Sequence, residues 1–405
     1  MKNNWINIIL LLTIGLGISA CQDFFGKKTG LDFLGEPDFQ IRPVAYVPIL
    51  PTIEGFGNPT DIIAGFDQLI YVVDSSSSEV IAYDFSLVEV GRRVIPGAKA
   101  IAQGRDLTLF VLGIKDTTVS DVDYRLDAIY KLNTNPNQDV SYEGLEDAVI
   151  EKVIVHPFYL TSSLGKGKDL LEQVKFNDIT IMANGEYYVT RNGPINDLNQ
   201  FGGPDDAVLI FNRDDRFVSG INVSTTVSGN RSDFFKKPFG ITNSNQPPQR
   251  IQEVQNYDFI FSSNDPNTVL KTQIIDFIAT ENELGYIGLN LPVGDTSRAD
   301  GFLYTPDRFA NPKRPVITGD GTNYLIIPDA IKDSVYLFTL TGLEGVQAPP
   351  GSSSNKNINV SFGGSGSGLS EFNRPTAVAY IDKILFVADA GNGRILRFKL
   401  TTDFD

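Results

Sequence analysis

Arg374-Pro-Thr-Ala-Val-Ala-Tyr-Ile-Asp-Lys-Ile-Leu-Phe-Val-Ala-Asp389 repeats the pattern of a distant stretch, Asn58-Pro-Thr-Asp-Ile-Ile-Ala-Gly-Phe-Asp-Gln-Leu-Ile-Tyr-Val-Val-Asp74. Both stretches run through Pro-Thr, an apolar strand, a turn containing Asp, a second apolar strand and a closing Asp. A third strand follows each, over Glu79 to Phe85 and Arg394 to Leu400. Runs of β-branched and aromatic residues bounded by Gly, Asn, Asp and Pro signal strands. Recurrence of such a unit signals a repeated architecture.

Four weaker copies fit the same frame. Ala98-Lys-Ala-Ile-Ala leads to Leu107–Val111 and Ala128–Leu132, and Phe176-Asn-Asp-Ile-Thr leads to Tyr187–Thr190 and Ala207–Phe211. Pro238-Phe-Gly-Ile-Thr leads to Tyr257–Phe261 and Gln273–Phe277, and Pro315-Val-Ile-Thr leads to Tyr324–Ile327 and Val335–Phe338. Read from Phe362-Gly-Gly through Phe372 and Pro375 to Asp389-Ala-Gly-Asn-Gly-Arg-Ile-Leu-Arg-Phe398, the last copy resembles an NHL repeat, the unit of a family of β-propellers. The resemblance implies an all-β, six-bladed β-propeller.

The last copy has only three strands, whereas Pro43–Leu50 precedes the first as an orphan strand. Pairing the two closes the ring and leaves no sheet edge between the chain ends. Two separate β domains are the alternative. Irregular spacing predicts long loops at 113–127, 157–175, 192–206, 243–256 and 292–313, and a short helix over Lys168–Val174.

Ile18-Ser19-Ala20-Cys21 closes an apolar run that begins at Ile6, after Lys2. This pattern is similar to a bacterial lipobox and implies three parts: a signal peptide over 1–20, a lipidated Cys21 with a tether over 21–41, and a propeller over 42–405. The apolar run is shorter than the roughly 20 residues of a spanning helix, and two or more acyl chains anchor a protein stably without crossing the bilayer. The expected location is the cell envelope. Gln22, in place of Asp, resembles the outer-membrane sorting of enterobacterial lipoproteins.

The chain's net charge of −15 comes from 49 acidic and 34 basic residues, and it becomes −16 when Lys2 leaves with the signal peptide. Nucleic acid needs clustered Lys and Arg, so it is excluded as a partner. Cys21 is the only cysteine, and its lipidation excludes disulfides, thiolate catalysis and Cys-ligated zinc. His156 is the only histidine and no Gly-x-Ser-x-Gly elbow occurs, which argues against a Ser-His-Asp triad and against the multi-histidine zinc site of peptidyl-hydroxyglycine lyases.

Carboxylates remain as candidates. Across the six first strands the third position reads Asp61, Ala100, Asp178, Gly240, Pro315 and Ala377. The resemblance puts this position near the central channel. Asp61 and Asp178, with Asn177 beside the latter, could hold calcium through oxygen ligands, as in gluconolactonase-like lactonases. Alternatively, a cation from Lys99, Arg105 or Arg191 offsets their desolvation. Asp74, Asp329 and Asp389 close second strands, where an Asp orders a turn through backbone N–H groups. The leading expectation is an envelope lipoprotein that binds a protein, peptide or glycan partner through its loop-rich face. A calcium-dependent lactonase-like hydrolase or lyase acting at the channel is the alternative.

Overall fold

The computed structural model describes residues 43–119, 121–135, 144–156, 172–193, 206–225, 229–231, 234–247, 258–279, 284–291, 294–352 and 355–404. The signal peptide, Cys21, the tether and most of the expected helix over Lys168–Val174 lie outside them. So do 120, 157–171, 194–205, 248–256 and 292–293, which fall within the five expected loops.

The described strands form six sheets, antiparallel except for one pair in blade 4, arranged as the blades of a β-propeller. Blade 1 comprises Pro59–Ala64, Ile70–Asp74, Glu79–Tyr83 and Glu89–Val94, and blade 2 comprises Ala100–Gln103, Leu109–Val119, Val122–Asn133 and Val149–Val155. Blade 3 holds Lys175–Ile181, Tyr187–Asn192, Ala207–Phe211 and Phe217–Gly220. Blade 4 holds Pro238–Thr242, Phe259–Ser263, Thr272–Ala279 and Leu284–Gly288, and its outer edge is covered by Val223–Thr225 running parallel to Leu284–Gly288. Blade 5 is Val316–Ile317, Tyr324–Asp329, Ser334–Thr339 and Phe362–Gly363.

Blade 6 closes the ring. Its strands Pro375–Ile381, Ile384–Asp389 and Arg394–Leu400 are completed by Tyr46–Glu54, which pairs from Tyr46 opposite Leu400 to Glu54 opposite Arg394. Ala45 and Thr401 exchange hydrogen bonds at the end of this seam, across 356 residues of sequence. The orphan strand thus takes the place expected of it.

The second strands open on continuous apolar runs because both faces of each blade are buried. All five residues of Ile70–Asp74 are buried, with Ile70 and Val72 packed toward blade 6 and Tyr71 and Val73 toward blade 2. Six apolar clusters each join one pair of neighbouring blades. The core is therefore a ring of inter-blade seams.

Local turn chemistry agrees with this order. Asp382 and Lys383 adopt φ of 50° and 63° between two paired strands, the left-handed pair that a two-residue hairpin requires. In blade 5 the innermost strand shrinks to Val316–Ile317. Pro312 and Pro315 lack the N–H donors that a longer ladder needs.

One expected loop is a strand pair. Leu109–Val119 and Val122–Asn133 stay in register from Leu109 opposite Leu132 to Val119 opposite Val122, so 113–127 is a long hairpin standing beyond the blade. Its charged residues read as loop in the sequence, but Asp116 lies directly across from Arg125, and opposite charges across strands stabilise a ladder.

Phe398 in blade 6 is fully buried and packs on Phe362, with ring centroids 4.6 Å apart. Phe398→Ala is expected to cost about 3–5 kcal/mol, measured as a lower urea midpoint of unfolding.

Candidate functional site at the propeller axis

The innermost strands all begin at one end of the central channel, its upper mouth. Where these strands converge, Arg314 reaches across the axis from blade 5 and meets Asp61 of blade 1 and Asp178 of blade 3. Pro315 restricts the preceding residue to extended backbone, and Gly240 provides the space. A Cβ on Gly240 would lie 2.5 Å from Arg314 Cα.

The guanidinium spends every donor. Nε donates to Asp178 Oδ2 at 2.8 Å, Nη1 to Asp61 Oδ2 at 2.9 Å and to Ile101 O at 2.8 Å, and Nη2 to Ile179 O at 2.7 Å and to Asp178 Oδ1. The two carboxylates are placed alike. Asp61 accepts from Ile62 N–H in its own strand and from Ile101 N–H of the next blade, and Asp178 does the same with Ile179 and Ile241. Five of the six blades thus meet in one bonded cluster.

Its charges do not cancel. Two carboxylates face one guanidinium, and all three side chains are buried. Burial pushes the Asp61 carboxyl up, to about 7, against the pull of Arg314, and burial likewise raises Asp178. For Arg314 burial acts downward, but Asp178 and Asp61 more than offset it and hold the guanidinium above its usual value.

These residues do not fit a calcium ion, and the expected Asp61, Asp178 and Asn177 site is corrected accordingly. The place of a cation between the carboxylates is filled by a guanidinium, and their oxygens already accept backbone N–H bonds. Asn177 turns its amide to Pro238 O at 2.8 Å, joining blades 3 and 4. Among the described residues no group of three or more His, Cys, Asp or Glu side chains could hold a metal ion.

The desolvation partner is also not one of the three bases expected. Lys99 pairs with Asp127, Arg105 donates to Asn245 Oδ1 at 2.6 Å, and Arg191 is buried in blade 3. Arg314 sits one residue before the aligned third position, inside Asn-Pro-Lys-Arg-Pro. A base flanked by prolines at a channel-facing position is the signal that would have singled it out.

The strand-closing acids serve turns. Asp74 accepts from Gly57, Asn58 and Ser76 N–H, and Asp329 accepts from Ala310, Asn311, Ile331 and Lys332 N–H. Asp389 accepts from Asn373 N–H and from the Asn392 and Arg394 side chains. His156 is buried and stacks on Phe176 at 5.7 Å.

On the side of Arg314 away from the upper mouth the channel holds a cavity of about 40 Å³, lined by Ile62, Gln103, Thr180, Thr242 and Asn245 among others. One water needs at least roughly 10–15 Å³ of such space, so the cavity has room for a few waters at most.

No protein-family model matches the chain, and no curated protein matches it. Solved structures do. An auxiliary nutrient binding protein from Bacteroides ovatus ATCC 8483 matches with a TM-score of 0.51 and 10% identity over 88% of this chain and 77% of that one. A luciferin-regenerating enzyme matches with a TM-score of 0.50 and 11% identity over 87% of this chain and 95% of that one. A calcium-binding regucalcin from Agrobacterium tumefaciens has a TM-score of 0.48 at 10% identity, over 88% and 94% of the two chains. At these identities the likeness is one of fold.

Arg314→Met strands two buried carboxylates and is expected to cost about 3–5 kcal/mol at pH 8. The carboxyl pKa values then rise further above the unfolded value of about 3.9. The penalty is therefore full above the folded values and shrinks as pH falls toward about 4. Urea unfolding of both proteins between pH 4 and pH 8 checks this, and a gap that widens in acid would contradict it. Gly240→Ala is expected to lose about 1–3 kcal/mol through overpacking against Arg314, read as a lower thermal midpoint.

Proposed function

We propose that this chain is a lipid-anchored envelope lipoprotein whose propeller binds a protein, peptide or glycan partner through a loop-bearing face. The observation that carries this reading is the occupied axis. Arg314 consumes the channel carboxylates, and the space beyond it, about 40 Å³, is far below the volume of an ordinary small-molecule site. Recognition then falls to the surfaces around the mouths, where propeller loops are free to vary.

Several features support the reading. The hairpin Leu109–Val119 and Val122–Asn133 stands beyond its blade on the upper side, next to the chain that enters blade 3. Ile18–Cys21 supplies the anchor, and Gln22 favours the outer membrane. A solved propeller of similar fold is described as a nutrient binding protein, a role of the same kind. The acidic surface repels anionic headgroups, which leaves acylated Cys21 as the membrane contact.

In the native host the wild-type chain is expected in the membrane fraction and labelled by a palmitate analogue, whereas Cys21→Ser is expected to be unlabelled and released. Photocrosslinkers placed at Thr117 and Asp123 on the hairpin are expected to capture a discrete partner. Label on the Cys21→Ser chain would refute the anchor, and absence of any crosslinked species would refute the binding role. Stoichiometric calcium lost in an Asp61→Asn, Asp178→Asn double variant would reinstate the hydrolase reading.

A further inference from the structure

Arg397, on the third strand of blade 6, departs from the rule that a buried charge is paired. Alternation along the strand sets its direction. Leu396 and Phe398 belong to the seam with blade 5 and Ile395 to the seam with blade 1, so Arg397 points toward blade 1. It is 8% exposed, stands opposite Phe386 on one side and Ile49 of the closing strand on the other, and makes one hydrogen bond, from Nε to Pro51 O at 3.1 Å. Among the described residues Nη1 and Nη2 have no partner, and neither is enclosed, so both keep a narrow face to solvent.

No carboxylate pairs with it. Burial lowers its pKa and no acid opposes that shift. The acids on the adjoining elements are engaged elsewhere: Glu54 accepts from Thr52 Oγ1, Asp84 from Val88 N–H at 2.9 Å, Asp389 from Arg394, and Asp403 pairs with Lys383. The surroundings are apolar instead. Ile53, Phe85, Leu87 and Ile384 pack into the same seam. Leu50, which lies between Ile49 and Pro51 in the chain, is 69% exposed, and Val88, next to Leu87, is exposed as well. An arginine that merely covers apolar surface extends its head into water, whereas this guanidinium is held back on Pro51 O with two nitrogens unspent.

We propose that Arg397 is an anion-binding residue at the outer rim between blades 6 and 1, and that it takes a carboxylate borne on an apolar stem. With Nε fixed on Pro51 O, the Nη1 and Nη2 N–H groups present the paired, planar donors that match a carboxylate. In these surroundings a charge-assisted bond is stronger than in water. The one positive charge matches a monoanion, and Leu50 and Val88 offer apolar contact to its stem. The site goes beyond the binding role proposed above: it is separate from the hairpin and depends on neither the anchor nor the partner.

The test uses the full chain in detergent, titrated calorimetrically with hexanoate, N-acetyl-leucyl-valine and the methyl ester of each. Binding of either acid more tightly than about 10 mM, with none of its ester, is expected. Which acid binds tells whether the carboxylate belongs to an acyl chain or to a peptide terminus. Arg397→Met keeps the apolar stem and is expected to weaken the acid by about tenfold or more, the loss of a charge-assisted contact. It is also expected to keep or raise the thermal midpoint of the ligand-free chain, because an unpaired buried charge is gone. Arg397→Lys keeps the charge without the planar fork and is expected to weaken the acid by less. If neither acid binds the wild type more tightly than about 10 mM, or if Arg397→Met binds as well as wild type, the site is refuted. A lower midpoint for Arg397→Met, with no acid bound by the wild type, would make Arg397 a clasp on Pro51 O and overturn the proposal in the same way.

Discussion

Two carboxylates sharing one guanidinium hold the centre of this propeller. Each carboxylate fastens two adjacent innermost strands through their backbone N–H groups, and Arg314 fastens the two pairs to blade 5. A buried charge cluster is a weak source of net stability, because desolvation offsets most of the attraction. What it supplies is geometry: with every donor spent, the blades at the axis have one arrangement that leaves no buried charge unpaired.

Around that centre stability comes from apolar seams. Each blade is buried on both faces, so its second strand cannot alternate between polar and apolar residues as the strand of a one-faced sheet does. Ile70–Asp74 and Ile384–Asp389 show the consequence in near-continuous burial. The closing Asp of each is then the polar stop at the strand's end, tied to backbone N–H groups of the loop entering its own blade. Where the axis needs an arginine, the innermost strand of blade 5 gives up ladder hydrogen bonds to prolines. The shortest strand of the inner ring and its most connected side chain are two aspects of the same local sequence.

Most of the fold was legible because the repeating unit has a strong pattern: Pro-Thr, strand, turn, strand, Asp. Six copies, their strands and the closing role of the N-terminal strand followed from it. The axial cluster was half legible. Asp61 and Asp178 share one aligned position, which the NHL resemblance puts at the channel, but their partner could not be read from the same column. Arg314 lies one residue off the repeat, and only its side chain crosses the axis. The hairpin over 113–127 was missed for a related reason. Charges such as Asp116 and Arg125 read as solvent-loving loop until cross-strand register pairs them.

Closure by Tyr46–Glu54 has a consequence for the order of events in synthesis. This strand is made before every blade, yet its one sheet partner among the described residues, Arg394–Leu400, is made after all the other described strands. While the blades between them are made it has no ladder to join. Contacts of such long sequence separation carry a large loop-closure cost and slow folding. The ring is therefore completed after its blades, and until then blade 6 presents an open edge to any other chain nearby.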